Sequence, residues 1–192
     1  RTVTGEFGFN ETFITDARIP ASCLMGEDGG GWRVAMKTLE YERGVTAGQA
    51  SGYWGLTIQV DDMIEALSNF EHDGEPLLSD PIVRDDLVGF IMESKALTLC
   101  GRRMAVPALN SDYPMGLALS VKYRGTEYER RMKQYTASKQ GAQSALYVGD
   151  ANAVSGGFWQ RAYFSNFGAT IGGGTTQVQA NIIAEHVLGL PK

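Results

Sequence analysis

The sequence is short of the residues from which metal sites, disulfide frameworks and nucleic-acid surfaces are built. It holds two cysteines, Cys23 and Cys100, and two histidines, His72 and His186, among 192 residues. The cysteines lie far apart in apolar contexts, which predicts two buried free thiols in a reducing, cytoplasmic compartment. Neither histidine has a neighbour at ligand spacing, so no metal site is expected. Lysine and arginine number 17 against 22 aspartates and glutamates, a formal net charge of −5. No basic face is evident, which argues against a nucleic-acid partner. No apolar run approaches the roughly 20 residues that span a bilayer, and no secretory leader is expected. Internal repeats and low-complexity tracts are lacking as well.

What is present is apolar patterning. Hydrophobic residues make up 43%, enough for the core of one domain, or of one domain with part of another. Residues 1–30 carry short β-type runs, 7–9 and 12–15, broken by Gly, Asn and Pro. A pair of strands is not a stable sheet by itself. Either these runs pack on the helices C-terminal to them, or the rest of their sheet lies outside the chain. Residues 31–192 have helical character throughout.

Apolar residues recur at Trp32, Ala35, Met36, Leu39, Ala50, Tyr53 and Trp54, a helical spacing that predicts one helix reaching about Phe70, with Gly44, Gly48 or Gly52 as bend points. At ~100° per residue, Arg43 falls near the centre of this stripe and Glu42 on its edge. Two ionic groups on an inward face read either as a buried ion pair or as chemistry. The stretch "EHDGEPLL" reads as a loop. Ser79 or Asp80 then caps a second helix whose first residue is Pro81. Its apolar face is Val83, Leu87, Phe90, Ile91 and Leu97, and Arg102 and Arg103 favour its C-terminal end. A third helical region is expected from about Leu117 to Val148, with a row at Val121, Tyr128, Met132, Tyr135, Ala142 and Leu146. Lys122, Arg124, Arg130, Arg131 and Lys133 make part of it basic, read as a solvated face in preference to a contact with an anionic partner. A fourth helix covers about 158–165. The last is signalled by a capping-box pair, Thr176 and Gln179, by the face Val178, Ile182, Ile183 and Val187, and by Gly189 as its stop. The fold class is mainly α: an up-and-down bundle of four or five helices preceded by a short β segment.

Three consecutive glycines, Gly172, Gly173 and Gly174, precede that last helix. A phosphate-binding P-loop needs a Lys before its Ser or Thr, and here Gly174 runs into Thr175 and Thr176. The dinucleotide fingerprint fails too, because Gln177 stands where its third glycine belongs. A tight helix–helix connection is the plain reading. Glycines nonetheless let a ligand approach backbone N–H groups closely.

The segment "GGGTTQVQANIIAEHVLGLPK" closely resembles the C-terminal signature of acyl-CoA dehydrogenases. "FNETFITDARIPASCLMGEDGGGWRVAMKTLEYER" resembles the same family's junction between its middle β domain and its C-terminal helical domain. The resemblance covers nearly the whole chain and implies the C-terminal half of such an enzyme. Residues 1–30 would end a β-barrel-like middle domain and 31–192 would be the helical bundle domain. The implied cofactor is FAD and the implied substrate an acyl-CoA thioester, oxidised to the trans-2-enoyl-CoA. Electron-transfer flavoprotein would take the electrons, and a homo- or hetero-oligomer would form through the bundle. The isolated chain, without the rest of the enzyme, is expected to be a poor catalyst.

Many members of the family carry the catalytic glutamate just before the Gly-Thr of the last loop, a position that is Gly173 here. A second subset places it on the first helix of this domain, in a Glu-Arg pair, and "LEYERG" supplies that pair as Glu42 and Arg43. The resemblance thus makes Glu42 the base, ahead of Glu40, and gives Arg43 and Gly172 contacts to the substrate. It assigns the thioester oxygen to the backbone N–H of Gly173, and FAD contacts to Thr175, Gln177 and Gly149. Two departures stand out. The family's Arg-x-x-Phe-Gly segment is replaced by "NFEHDGEPLL", which keeps Gly74 without the arginine. Its Gly-Gly motif is replaced by "LYVGDAN", which keeps Gly149 alone. These favour, as an alternative, a non-catalytic partner subunit of a heteromeric enzyme. An acyl-CoA oxidase, which differs in letting O2 reach the reduced flavin, is a third reading that the sequence leaves open beside the dehydrogenase. The acyl group is expected to be medium, branched or bulky.

Overall fold

A computed structural model of the chain describes residues 1–46, 59–104, 106–109 and 115–191, with the backbone alone for 40–46, 107 and 115. Its helices are α1 (Gly31–Thr46), α2 (Val60–Ser68), α3 (Pro81–Met104), α4 (Met115–Ser138), α5 (Phe158–Ile171) and α6 (Thr176–Ile182). A two-stranded antiparallel sheet, β1 (Glu71–His72) and β2 (Glu75–Pro76), separates α2 from α3. The helical bundle is therefore as the sequence predicts, and its elements are shorter and more sharply punctuated.

The stripe starting at Trp32 does not continue as one helix to Phe70. Gln59 is extended, with φ −91° and ψ 163°, and opens a separate helix, α2. The side chain of Asp62 accepts the Gln59 N–H at 2.6 Å, so the new start is capped from its own first turn. Of the bend positions, Gly44 lies on the backbone of α1, while Gly48 and Gly52 lie outside the described residues. The loop "EHDGEPLL" contains the β1–β2 hairpin. Asp73 and Gly74 have φ of 54° and 82°, and such a pair of positive φ values at an Asp-Gly step is what a two-residue hairpin turn needs.

Helix α3 begins as expected: Asp80 Oδ1 accepts the N–H of Ile82 at 2.8 Å, with Pro81 at the first helical position. Helix α4 stops at Ser138 rather than running to Val148. Residues 141–145 form a tighter 3₁₀ segment, entered through Gly141 at φ 58°. Helix α5 runs to Ile171, beyond the expected 165, and α6 passes into a π-helical turn, Ile183–Val187. The expected runs at 7–9 and 12–15 form no ladder; among the described residues they have no partner strand, and a strand without one leaves its backbone groups unpaired.

Helix α4 is the centre of the bundle, touching α1, α2, α3, α5 and α6. The core gathers Met63 and Leu67 of α2, Val83 and Leu87 of α3, Tyr128 and Met132 of α4, and Trp159 and Ala162 of α5. Phe90 and Leu97 pack against it, whereas Ile91 faces outward. The Phe90 ring lies edge-on to that of Tyr128 at 6.0 Å, and Tyr128 also donates its hydroxyl to the Phe90 carbonyl at 3.2 Å. The cysteines are free, but Cys23 is exposed and Cys100 half-buried, so the expectation of two buried thiols fails. Cys23 belongs to the leading segment, which lies outside the packed bundle.

Candidate functional site

The three glycines make the turn between α5 and α6. The N–H of Gly172 donates to the Gly168 carbonyl at 2.8 Å and closes α5. Gly173 and Gly174 then adopt φ of 66° and 98°, a left-handed conformation that costs a glycine little and other residues roughly 1–2 kcal/mol. The cap of α6 is Thr175, one residue before the expected Thr176: its hydroxyl accepts the Val178 N–H at 3.2 Å. Thr176 is thereby free to donate its hydroxyl to Glu127 Oε1 of α4 at 2.9 Å. Gln179, expected to complete the capping box, turns back instead. It is fully buried and donates Nε2 to the Gly173 carbonyl at 2.8 Å.

Helix α4 holds this turn from the other side. Lys122 Nζ donates to the Gly174 carbonyl at 2.6 Å. Burial raises the Glu127 carboxyl, but the hydrogen bonds from Thr176 and Arg130 and the charges of Arg130 and Arg131 outweigh it and leave the group below its ordinary value. Further along the helix, Lys133 is 4% exposed. Its ammonium reaches Glu129 at 2.7 Å and the Asn166 side chain of α5 at 2.6 Å. Asn166 in turn donates to the Thr126 carbonyl at 3.1 Å. Burial pushes the Glu129 carboxyl up, and Lys133 counteracts it. The basic run on α4 is thus not uniformly a solvated face. Arg124 and Arg131 pair with Glu93 at the surface, at 3.2 and 2.7 Å, while Lys133 is interior and Lys122 serves the glycine turn.

Gly172, Gly173 and Thr175 lie in this one turn, and Gln177 follows in the first turn of α6. Gly149 belongs to another, 147–153, where it is exposed at φ 100° and where the Asp150 N–H returns to the Tyr147 carbonyl at 3.0 Å. Glu42 and Arg43, with Glu40, lie on α1, but their side chains are outside the described residues. Helix α1 contacts α4, the helix that carries Lys122. A Cβ added at Gly173 would meet no heavy atom of the described residues within 4 Å.

The positions that the resemblance assigns to FAD fit a neutral, polar part of such a cofactor. Thr175 uses its oxygen as the cap acceptor and keeps its hydroxyl proton to donate, Gln177 is exposed, and a Cβ at Gly149 would meet no atom of the described residues within 4 Å. They offer no cation to a pyrophosphate. Among the described residues, no group of three His, Cys, Asp or Glu side chains could hold a metal ion. No helix there is long and apolar enough to cross a membrane.

Sequence reasoning missed Lys122, Glu127 and Gln179. Gln179 carried a signal, its capping-box spacing, but that pattern concealed the actual partner. Lys122 and Glu127 carried none beyond their charge.

The family model for the acyl-CoA dehydrogenase C-terminal domain matches residues 29–188. The chain is 34% identical to acyl-CoA dehydrogenase IpdE1 of Mycolicibacterium smegmatis over 99% of its own length and 44% of that protein's. It therefore spans less than half of this curated relative. Its fold is similar to that in the crystal structure of the ChsE4–ChsE5 complex from Mycobacterium tuberculosis, with TM-score 0.72 and 23% identity over 94% of this chain and 45% of that one. Butyryl-CoA dehydrogenase from Megasphaera elsdenii gives TM-score 0.70 and 21% identity, over 90% of this chain and 43% of that one. With a glycine turn held between α4 and α6, and a family match across most of its length, the chain belongs to the acyl-CoA dehydrogenase family, as that family's C-terminal domain.

Proposed function

We propose that this chain is the C-terminal half of an FAD-dependent acyl-CoA dehydrogenase in which Glu42 is the catalytic base. The observation that carries the reading is residue 173. The position before the Gly-Thr is a glycine, in a left-handed conformation, with no atom of the described residues within 4 Å of where a Cβ would stand. It supplies no carboxylate, and it leaves room for one from another element. Glu42 lies on α1, at the edge of the stripe centred on Arg43, and α1 contacts the helix that holds the turn.

In this reading Glu42 removes the proton α to the thioester carbonyl. Negative charge then develops on the carbonyl oxygen, where a fixed backbone donor lowers the barrier most. The N–H of Gly173 is that donor, and no backbone acceptor takes it among the described residues. As the α carbon's electron pair forms the double bond, a hydride leaves the β carbon. FAD, when bound, supplies the acceptor for that hydride, with Thr175, Gln177 and Gly149 as its contacts. Arg43 and Gly172 bind the substrate, and electron-transfer flavoprotein receives the electrons. Residues 1–30 end the middle β domain, 31–192 form the bundle domain, and the enzyme is cytoplasmic and oligomeric.

A second reading is a non-catalytic subunit of a heteromer. It is favoured by the β1–β2 hairpin, which stands where the family's arginine segment is expected and offers none, and by the similar structure being a two-protein complex. The test is anaerobic titration of the whole flavoprotein with short, medium, branched and polycyclic acyl-CoAs. Bleaching of the flavin by one class supports the dehydrogenase reading and names the substrate. A protein without flavin, or a flavin that no thioester reduces, supports the partner subunit. Peroxide formed during aerobic turnover would identify an oxidase.

A further inference from the structure

The glycine turn is held by side chains through its carbonyls. Gln179 reaches back to the Gly173 carbonyl at 2.8 Å, and Lys122 reaches across from α4 to the Gly174 carbonyl at 2.6 Å. Gln179 is fully buried, although its Oε1 has no partner among the described residues, so an amide is kept in the interior with its acceptor unused there. Burying an unsatisfied polar atom costs stability, which asks for a compensating role at this position. The fit is tight as well: a Cβ at Gly174 would stand 2.5 Å from Gln179 Nε2. Residue 174 is open enough for the amide to reach residue 173 because it is glycine.

A peptide unit is planar and trans, so its C=O and N–H point in opposite directions. A carbonyl drawn toward the interior by Gln179 turns the Gly174 N–H the other way. One drawn by Lys122 does the same for the Thr175 N–H. On the other flank, the Gly172 N–H is fixed on Gly168 at 2.8 Å. The Gly172–Gly173 peptide lies between these anchors, in the most flexible residues the chain has. Without them, three glycines in succession would sample many orientations, and a donor that must reorganise stabilises developing charge poorly.

We propose that Gln179 and Lys122 are positioning residues: by fixing the Gly173–Gly174 and Gly174–Thr175 peptides they hold the turn so that the Gly173 N–H stays aimed at the thioester oxygen. They touch the turn and not the substrate. The inference rests on the dehydrogenase reading above, and its test separates the two. The probe is the trans-2-enoyl-CoA product of whichever acyl-CoA reduces the flavin, labelled with ¹³C at the thioester carbonyl and bound to the whole protein. Infrared difference spectra report how strongly that carbonyl is polarised. In the wild type its stretch is expected to move to lower wavenumber on binding. In Gln179→Leu and, independently, Lys122→Met, most of that shift is lost, kcat falls about tenfold or more, and product affinity changes less than about threefold. Lys122→Arg, which keeps a donor, retains the shift. Gly174→Ala, which crowds Gln179, behaves like Gln179→Leu. An unchanged carbonyl stretch in folded Gln179→Leu and Lys122→Met overturns the positioning role while leaving the dehydrogenase reading intact. A wild-type flavin that no acyl-CoA reduces overturns both.

Discussion

Among the glycines of this chain, the space around the Cα separates those that packing requires from those that a turn tolerates. At Gly157, φ is 75°, and a Cβ would stand 2.5 Å from the Val148 nitrogen and 2.7 Å from the Tyr147 carbonyl carbon. Both neighbours are backbone and have nowhere to yield. Gly157→Ala should lower unfolding stability by roughly 2–4 kcal/mol, combining backbone strain with overpacking. At Gly149, φ is 100° with nothing within 4 Å, so Gly149→Ala should cost only the left-handed conformation, about 1–2 kcal/mol. Urea denaturation of the two variants checks the order; equal losses would contradict it. The same scale shows what single residues reveal in advance. Glu42 and Arg43 are conspicuous because two charges fall on an apolar stripe. Lys133 is not, because it sits in a run of basic residues and nothing local says that Asn166 will arrive from a helix 33 positions away to meet it.

Between elements, polar contacts join α4 to α5 and α6. Lys133 and Glu129 form an i, i+4 pair with side chains 5% and 15% exposed, closed by Asn166. Removing one partner strands the other charge. Lys133→Ala should therefore destabilise by about 3–5 kcal/mol, while Lys133→Met combined with Glu129→Leu should come close to wild type. A thermal melt of the single and double variants decides this, and a double variant no better than the single would sink it. Glu127 behaves in the opposite way to Glu129 with pH. Its folded pKa is below the unfolded value of 4.5, so folded Glu127 holds fewer protons than unfolded. Its contribution is present above that value and is lost as pH falls through the lowered one. The gap in melting temperature between wild type and Glu127→Ala should accordingly narrow between about pH 6 and about pH 3. A gap that stays constant would mean the Thr176 and Arg130 contacts carry no charge dependence.

The elements themselves are mostly legible in the sequence. Pro81 after Asp80 marks the start of α3, and apolar periodicity marks α4. What the pattern overruns are interruptions set by local geometry: the extended Gln59, and Gly141 just past the end of α4. A stripe of apolar residues continues across a break when both sides face the same core, so periodicity cannot see it. The cap at α6 falls one residue away from its expected place because Thr175 and Thr176 are chemically alike and differ only in what lies across from them.

For the whole molecule, the unpacked surface is concentrated in the leading segment. Phe7, Phe9 and Phe13 are 86%, 90% and 85% exposed, and Ile14, Ile19 and Trp32 are nearly as bare. The segment is nonetheless anchored, through the Tyr147 hydroxyl on the Thr4 carbonyl at 3.1 Å and an ion pair between Arg161 and Glu6. Bare aromatic rings on an anchored segment mark a surface that other protein covers. The isolated 192-residue chain should bind a hydrophobic dye strongly and aggregate without a defined size, while the whole protein should bind little dye and form an oligomer of one defined size. A monodisperse, dye-silent monomer of the isolated chain would contradict this. The same chain with added FAD should show no turnover of acyl-CoA, since it spans less than half of the curated relative it matches.

The most direct measurement replaces the proposed base, Glu42. The whole protein carrying Glu42→Gln would be purified with its flavin and mixed without oxygen with the acyl-CoA that reduces the wild type. We expect acyl-CoA binding within about threefold of wild type and flavin reduction slowed by about 10²- to 10⁴-fold, the usual worth of a positioned general base. Flavin bleaching at the wild-type rate would show that Glu42 is not the base.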